Sequence, residues 1–336
     1  MKFRYLIIAA AMLSLASCAK EGSTGTNEDA KRYFDAWISQ NHPNATRTEL
    51  GSYIISQSEG SGTAAGDYVF ARINYSSYKL NGDLAGTTYE KVARQCNTYS
   101  ASKYYGPTIL YRGTELEAMS AGLEEAISGM KIGGKMRIVI PGWLNQSGRY
   151  DSEKEYLANC SGTDYIYDLE LVDLFDDEEV WERDSLLRYM AANYPTAEED
   201  SLYEGFFYIK EKAGKDDYDF PSDTTFYINY TGRLLNGRVF DTTIADTAKV
   251  WNLYSSSTTY AQKSVTWYSE SGDFTSIKLA DNEIISGFSY ALSQMHPGEA
   301  GRCFFVSKYG YSYSGSGKTI PSYAPLSFYI ETTEAP

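Results

Sequence analysis

The sequence predicts a mixed α and β chain in which one structural unit occurs twice. Three observations predict it. Residues 120–141, "SAGLEEAISGMKIGGKMRIVIP", and residues 285–307, "ISGFSYALSQMHPGEAGRCFFVS", share one rhythm. In each a glycine opens the window (Gly122, Gly287), a methionine follows (Met130, Met295), and a second glycine (Gly133, Gly298) precedes an apolar run. Two earlier segments also match, "RYFDAWISQNHPNA" at 32–45 and "SLLRYMAANYPTA" at 185–197. Both end in Asn, one residue and Pro. Finally, each half closes on an alternating run, "DYIYDLELVDLF" and "LSFYIETT".

Each element has its own reason. Leu123, Ala126, Ile127 and Met130 fall at helical spacing, as do Phe288, Ala291, Leu292 and Met295, so a helix of about two and a half turns lies between the glycines of each window. The runs "KMRIVI" and "RCFFVS" read as strands. The two earlier segments are amphipathic helices stopped by proline, each leading into a Gly-started strand, "GSYIISQ" or "GFFYIKE". The stretch "INYTGRLLNGRVFDTT" at 228–243 alternates and then turns at Asn236-Gly237, a strong hairpin signal. The acidic segment "DDEEVWERDSLLRYM" predicts a helix joining the halves. The unit is therefore helix, strand, strands, short helix, strand, last strand.

The N-terminus has a different character. Lys2 and Arg4 precede an apolar run too short to span a bilayer, and "LASC" follows, with small residues directly before Cys18. This is a bacterial lipoprotein pattern. It predicts a signal peptide over residues 1–18, lipidation of Cys18, and a membrane anchor made by acyl chains. The expected address is the cell envelope, as an outer-membrane lipoprotein facing the periplasm or the surface. The next residues are small and polar and read as a tether. The formal charge is −14. It becomes −16 once Lys2 and Arg4 are removed with the leader, which argues against nucleic acid as a partner. The three other cysteines lack CxxC spacing, and His42 and His296 are the only histidines, so no metal and no cofactor are expected. Cys96 and Cys160 share a half, and an oxidising compartment allows a disulfide between them. Cys303 reads as a buried thiol. The 31 tyrosines suit strands.

From about 223 to 331 the sequence resembles the FKBP-type peptidyl-prolyl isomerases. "NYTGRLLNGRVFD" is similar to the family's opening strand and hairpin, "NEIISGFSYALSQMHPGE" to its central helix, and "KYGYSYSGSGKTIPSYAPLSFYIE" to its closing loop and strand. The first half resembles the family more weakly. The resemblance implies an α+β fold: a curved antiparallel sheet wrapped on a short helix, twice, with an extra amphipathic helix before each. It implies a tether and helix over 19–50, a degenerate FKBP-like domain over 51–175, a linker helix over 176–202 and an FKBP-like domain over 203–336.

The resemblance also implies a proline pocket in the second half. Tyr230, Phe240, Asp241, Ile285, Phe288 and Tyr311 would be its catalytic residues, and Ile284, Ile320 and Phe328 its substrate-binding residues. Phe288 stands where the family usually has tryptophan. Thr275 and Ile277 replace two phenylalanines of one wall, and an insertion over about 244–273 separates Asp241 from the next strand. Taken singly, Tyr230, Phe240 and Phe328 read as strand core, and Asp241 as a turn cap; together with Tyr311 they favour a pocket. In the first half, Tyr75 matches the strand tyrosine, Tyr89-Glu90 stands for the Phe-Asp pair, Leu123 takes the floor position, nothing matches Tyr311, and Trp143 is unmatched. The expected function is an envelope-anchored isomerase acting on X-Pro bonds of proline-containing polypeptides. The alternative is a non-catalytic FKBP-like lipoprotein that binds peptides or another envelope protein.

Overall fold

The computed structural model describes residues 26–114, 119–215, 224–267 and 273–333. Cys18, the expected leader and the start of the tether lie outside the described residues. Among those described, no helix is long and apolar enough to cross a membrane.

The first half runs α1 (Thr26–Asn41), β1 (Thr46–Arg47), β2 (Tyr53–Ser58), β3 (Phe70–Lys79), β4 (Leu84–Thr87), α2 (Glu90–Gln95), β5 (Thr108–Tyr111), α3 (Ala121–Ser128), β6 (Lys135–Ile140), α4 (Glu153–Ala158) and β7 (Tyr165–Phe175). Helix α5 (Glu178–Asn193) follows. The second half runs β8 (Phe206–Lys212), β9 (Thr224–Leu234), β10 (Val239–Thr242), α6 (Ala245–Val250), β11 (Lys263–Trp267), β12 (Lys278–Leu279), β13 (Asn282–Glu283), α7 (Ser286–Ser293), β14 (Ala300–Phe305) and β15 (Leu326–Thr333).

Each half builds one antiparallel sheet, and the strand orders correspond. The first is β1-β2-β6-β7-β3-β4, with β5 also on β3. The second is β13-β12-β11-β9-β15-β14-β8, with β10 also on β9. Strand for strand, β2, β6, β7 and β3 take the places of β8, β14, β15 and β9. The result is two α+β units with the order of elements that the sequence repeat predicts.

The repeated glycines have physical reasons. Gly122 and Gly287 lie in the first turns of α3 and α7, where helix meets strand. A Cβ on Gly122 would stand 2.3 Å from Ile140, and one on Gly287 2.7 Å from the Phe305 ring. Gly133 and Gly298 sit in the turns after these helices at φ of +84° and +81°, which a glycine adopts without strain.

Each sheet buries its helix. Ile127, Ile138 and Leu171 are fully covered in the first core, and Ala291, Leu292 and Ile330 in the second. Helix α1 inserts Phe34 and Ile38 into the first core; α5 places Leu186 and Met190 against Phe207, Phe304 and Val306 on the outer face of the second sheet. Helix α5 is capped by Asp177, whose carboxylate accepts from the Val180 N–H at 2.9 Å. Toward the first half, Trp181 stacks on Phe175 at 4.6 Å.

Three expectations change. The described part of the insertion after Asp241, residues 244–267, has a counterpart in the first half. After β4 and after β10 alike there is a short helix, a residue at positive φ (Asn97 at 56°, Asn252 at 55°) and a tyrosine pair stacked across a serine loop. Tyr99 stacks on Tyr105 at 5.6 Å and Tyr254 on Tyr260 at 5.2 Å. Trp143, unmatched in sequence, is core: it is buried beneath α1, 5.2 Å from Phe34. Cys96, Cys160 and Cys303 are all free thiols. Cys303 is fully buried, which pushes its thiol up to about 12.

Candidate functional site

Strand β9 carries Tyr230, and its hairpin partner β10 carries Phe240 and Asp241. Successive strand residues point to opposite faces, so a regular β10 would split this pair. The register instead breaks: Val239 lies opposite Arg233 and Asp241 opposite Gly232, which leaves Phe240 as the extra residue of a bulge. Both side chains then reach one cleft. Gly232 makes the room, because a Cβ there would stand 2.6 Å from the Phe240 ring and 2.8 Å from the Phe328 ring. The threonines that follow pin the bulge. Thr242 and Thr231 share a hydroxyl hydrogen bond of 2.9 Å, and the Tyr230 N–H donates to Thr243 Oγ1 at 3.0 Å.

Helix α7 supplies the floor. Phe288, in its first turn, is 3% exposed. Its ring meets Tyr230 edge-on at 5.4 Å and Phe328 of β15 at 4.7 Å; Phe240 meets Phe328 edge-on at 5.4 Å. Ile284 and Ile285 stand immediately before the helix. Beyond β14, short 3₁₀ turns bring Tyr311 to the opposite side, and a tight loop brings Ile320. Tyr230, Phe240, Asp241, Ile284, Ile285, Phe288, Tyr311, Ile320 and Phe328 therefore line a single open cleft of about 670 Å³.

The polar groups of the cleft are few. The Tyr230 hydroxyl donates to Asp241 Oδ2 at 2.7 Å. Burial, then the Asp241 carboxylate, hold the Tyr230 phenol far above its ordinary value. Burial and the same carboxylate raise Tyr311. Both phenols are thus hydrogen-bond donors at neutral pH. The loop leading to Tyr311 is anchored from outside: Glu182 of α5 accepts from the Ser307 backbone N–H and, at 2.7 Å, from its hydroxyl. Burial pushes Glu182 up to about 7.

Sequence reasoning missed part of the lining. Leu279, Glu283, Ser316, Gly317 and Thr319 also face the cleft. Thr275 and Ile277, expected on one wall, are absent from it. Ile277 is buried in the core, and Thr275 belongs to a 3₁₀ turn whose Phe274 ring packs on Tyr203 and Tyr290.

The first half differs in a defined way. Its β3–β4 hairpin has the same bulge, with Gly86 opposite Ser77 and Leu84 opposite Tyr78, so Ala85 is the extra residue. The Tyr75 N–H donates to Thr88 Oγ1 at 2.9 Å, as Tyr230 does to Thr243. The register therefore places Ala85-Gly86, and not Tyr89-Glu90, at the positions of Phe240-Asp241. Tyr89 instead stands at the N-cap of α2, and its hydroxyl donates to Glu170 at 2.7 Å.

The model of the FKBP-type peptidyl-prolyl cis-trans isomerase family matches residues 219–333. That stretch is an FKBP-type domain. A curated relative, a macrophage infectivity potentiator of Trypanosoma cruzi, is 31% identical over 104 residues. The match covers 31% of this chain and 39% of the relative, so the chain spans about two fifths of the relative's length. Among solved structures, the three FKBP domains of wheat FKBP73 align over 86% of this chain and 98% of their own, at 13% identity and a TM-score of 0.30. FkpA of Escherichia coli aligns over 48% of this chain and 61% of its own, at 19% identity and a TM-score of 0.30. The matched stretch contains all fourteen residues that line the cleft.

Proposed function

We propose that the cleft of the FKBP-type domain binds X-Pro segments of polypeptides and speeds their cis/trans exchange. The observation that carries this reading is the convergence of an aromatic box with one phenol–carboxylate pair and a second phenol on its rim. Rotation about an amide makes and breaks no bond. Its barrier of roughly 18–20 kcal/mol comes from lost resonance. A twisted amide has a smaller dipole, so an apolar cleft favours it over the planar forms. Phe240, Phe288 and Phe328 offer the proline ring an apolar seat. Tyr311 is a donor for a peptide carbonyl. Ile285 lies at the start of α7, where backbone N–H groups have no partner within the helix, and it takes a second carbonyl. Asp241, held by Tyr230, gives the wall its fixed polar edge. A millionfold acceleration requires about 8 kcal/mol of differential stabilisation, within reach of positioning and desolvation together.

The test is exchange spectroscopy on a proline peptide with the full chain. Acceleration that falls by about 10–100-fold in Asp241→Ala and in Tyr311→Phe supports the reading, each loss being about 1–3 kcal/mol. If the folded chain gives no acceleration while it still binds the peptide, the activity is peptide binding alone. The proposal extends to the envelope: Cys18 is acylated and anchors the chain. A fatty-acid analogue fed to cells labels the wild type and leaves Cys18→Ser unlabelled; equal labelling of both refutes the anchor.

A further inference from the structure

The first half touches the second at the rim of the cleft. At that rim the contact is made by the serine loop between α2 and β5. The Tyr104 N–H donates to the Lys318 carbonyl at 2.7 Å. The Thr319 hydroxyl donates to the Ser102 carbonyl at 2.7 Å. The Arg238 guanidinium reaches the Ala101 carbonyl, and the Tyr104 side chain packs against the core of the FKBP-type domain. Lys318 lies between Gly317 and Thr319, and both of these line the cleft.

The rim loop has few anchors of its own. Ser316 and Ile320 exchange backbone hydrogen bonds of 2.9 and 3.1 Å, closing a narrow turn with Gly315 and Gly317 at positive φ. Two of the loop's remaining bonds, at Lys318 and Thr319, go to the first half. The second half has its own copy of the serine loop, and that copy is undocked: Ser257, Thr258 and Thr259 are exposed. By the matched tyrosine stacks, Thr259 stands where the first half has Tyr104. The aromatic plug thus belongs to the docked copy.

We infer that residues 102–104 of the first half are positioning residues for the cleft, and that the half without the Phe-Asp pair serves as a brace setting the shape of the rim. This rests on the proposed isomerase reading, and it deepens it. The brace acts on how well a peptide is held, since its hydrogen bonds go to Lys318, Thr319 and Arg238 and to neither member of the phenol–carboxylate pair.

The experiment uses the full chain with Lys103→Thr and Tyr104→Thr together, which puts Thr258 and Thr259 of the undocked loop at the matching places of the docked one. Tyr104→Phe, which keeps ring and backbone N–H, is the control. Exchange spectroscopy over a range of peptide concentrations gives kcat and KM, and hydrogen exchange reads residues 316–320. The expected result is a KM raised about tenfold with kcat changed less than about twofold, faster exchange in the rim, unchanged protection in β9 and β15, and wild-type behaviour in Tyr104→Phe. Unchanged KM and unchanged rim exchange overturn the brace. If the double variant does not fold, Tyr104→Thr alone, at a residue outside the cleft lining, takes its place with the same criteria. If the wild type shows no catalysis at all, the isomerase reading fails by itself, and rim exchange with the peptide dissociation constant decides on the brace.

Discussion

The two hairpins, β3–β4 and β9–β10, share a backbone and differ in what stands on it. Both carry the bulge, both follow it with two threonines, and both tie the strand tyrosine to the second of them. In one, the bulge presents Phe240 and Asp241 over Gly232. In the other, it presents Ala85 and Gly86 beside Ser77. The Tyr75 hydroxyl lies 3.8 Å from where a Cβ on Gly86 would stand, so the tyrosine is already in place for a carboxylate that is missing. The difference teaches that the fold keeps the bulge for its own packing, while the residues proposed for the chemistry differ between the halves at three side-chain positions.

The largest expected effect comes from making the second hairpin like the first. Phe240→Ala with Asp241→Gly removes the ring and the acid and should lower exchange catalysis by at least about 100-fold, on the order of 3 kcal/mol, with the fold retained by circular dichroism. Residual activity near wild type would mean that the pair is not what separates the halves.

The next effect concerns how each half holds the loop after its penultimate strand. In the first half, the Gly142 N–H donates at 2.7 Å to Asp164, from the loop before β7. In the second, the matching Ser307 N–H donates to Glu182, from the helix between the halves. Glu182 is held up to about 7 against 4.5 for an ordinary glutamate. A raised carboxylate means that the folded state binds the proton more tightly, so this group favours folding most at low pH. That contribution falls as pH rises from about 4.5 to about 7 and is level above. The gap corresponds to about 3 kcal/mol at most. Glu182→Gln should flatten this decline and raise the melting temperature above that of wild type at pH 8. Parallel melting-temperature profiles for the two from pH 5 to 8 would show that Glu182 does not titrate in this range.

The smallest effect is the reverse graft. Ser77→Gly, Ala85→Phe and Gly86→Asp together should give the first half weak affinity for a proline peptide, in the millimolar range, without measurable catalysis, because Gln146 stands in the register of Tyr311. Chemical-shift changes at Tyr75 and Leu123 on adding peptide would report it. No shift at either, in a folded variant, would show that more than three positions separate the halves.

Much of this was legible in the sequence. The Gly-Met-Gly spacing marked the paired helices, since a glycine is needed wherever helix and strand backbones approach as closely as at Gly122 and Gly287. The second-half motifs located the cleft residues. The first-half hairpin was misread because Tyr89-Glu90 looks like an aromatic–acid pair, whereas the positions are fixed by the bulge and the threonines. Thr87-Thr88 and Thr242-Thr243 carried the correct register, and so did Asn97-Thr98-Tyr99-Ser100 against Asn252-Leu253-Tyr254-Ser255. The duplication of the insertion shows in those same matches once the structure has set the register. Leu279, Glu283 and Thr319 escaped notice because a rim is set by how loops close, which a local pattern does not encode.

The room left by Gly232 has a consequence for how such a site is gained or lost by single substitutions. A side chain at that position and the Phe240 ring occupy the same space. A serine arriving there first would expel the ring, while loss of the ring first would leave a gap that a serine can fill. In the other hairpin the path runs backward only in one order: Ser77 must shrink before an aromatic at position 85 can be accommodated. The two positions are epistatic, and a lineage that has taken the serine is held away from the aromatic until it gives that serine up.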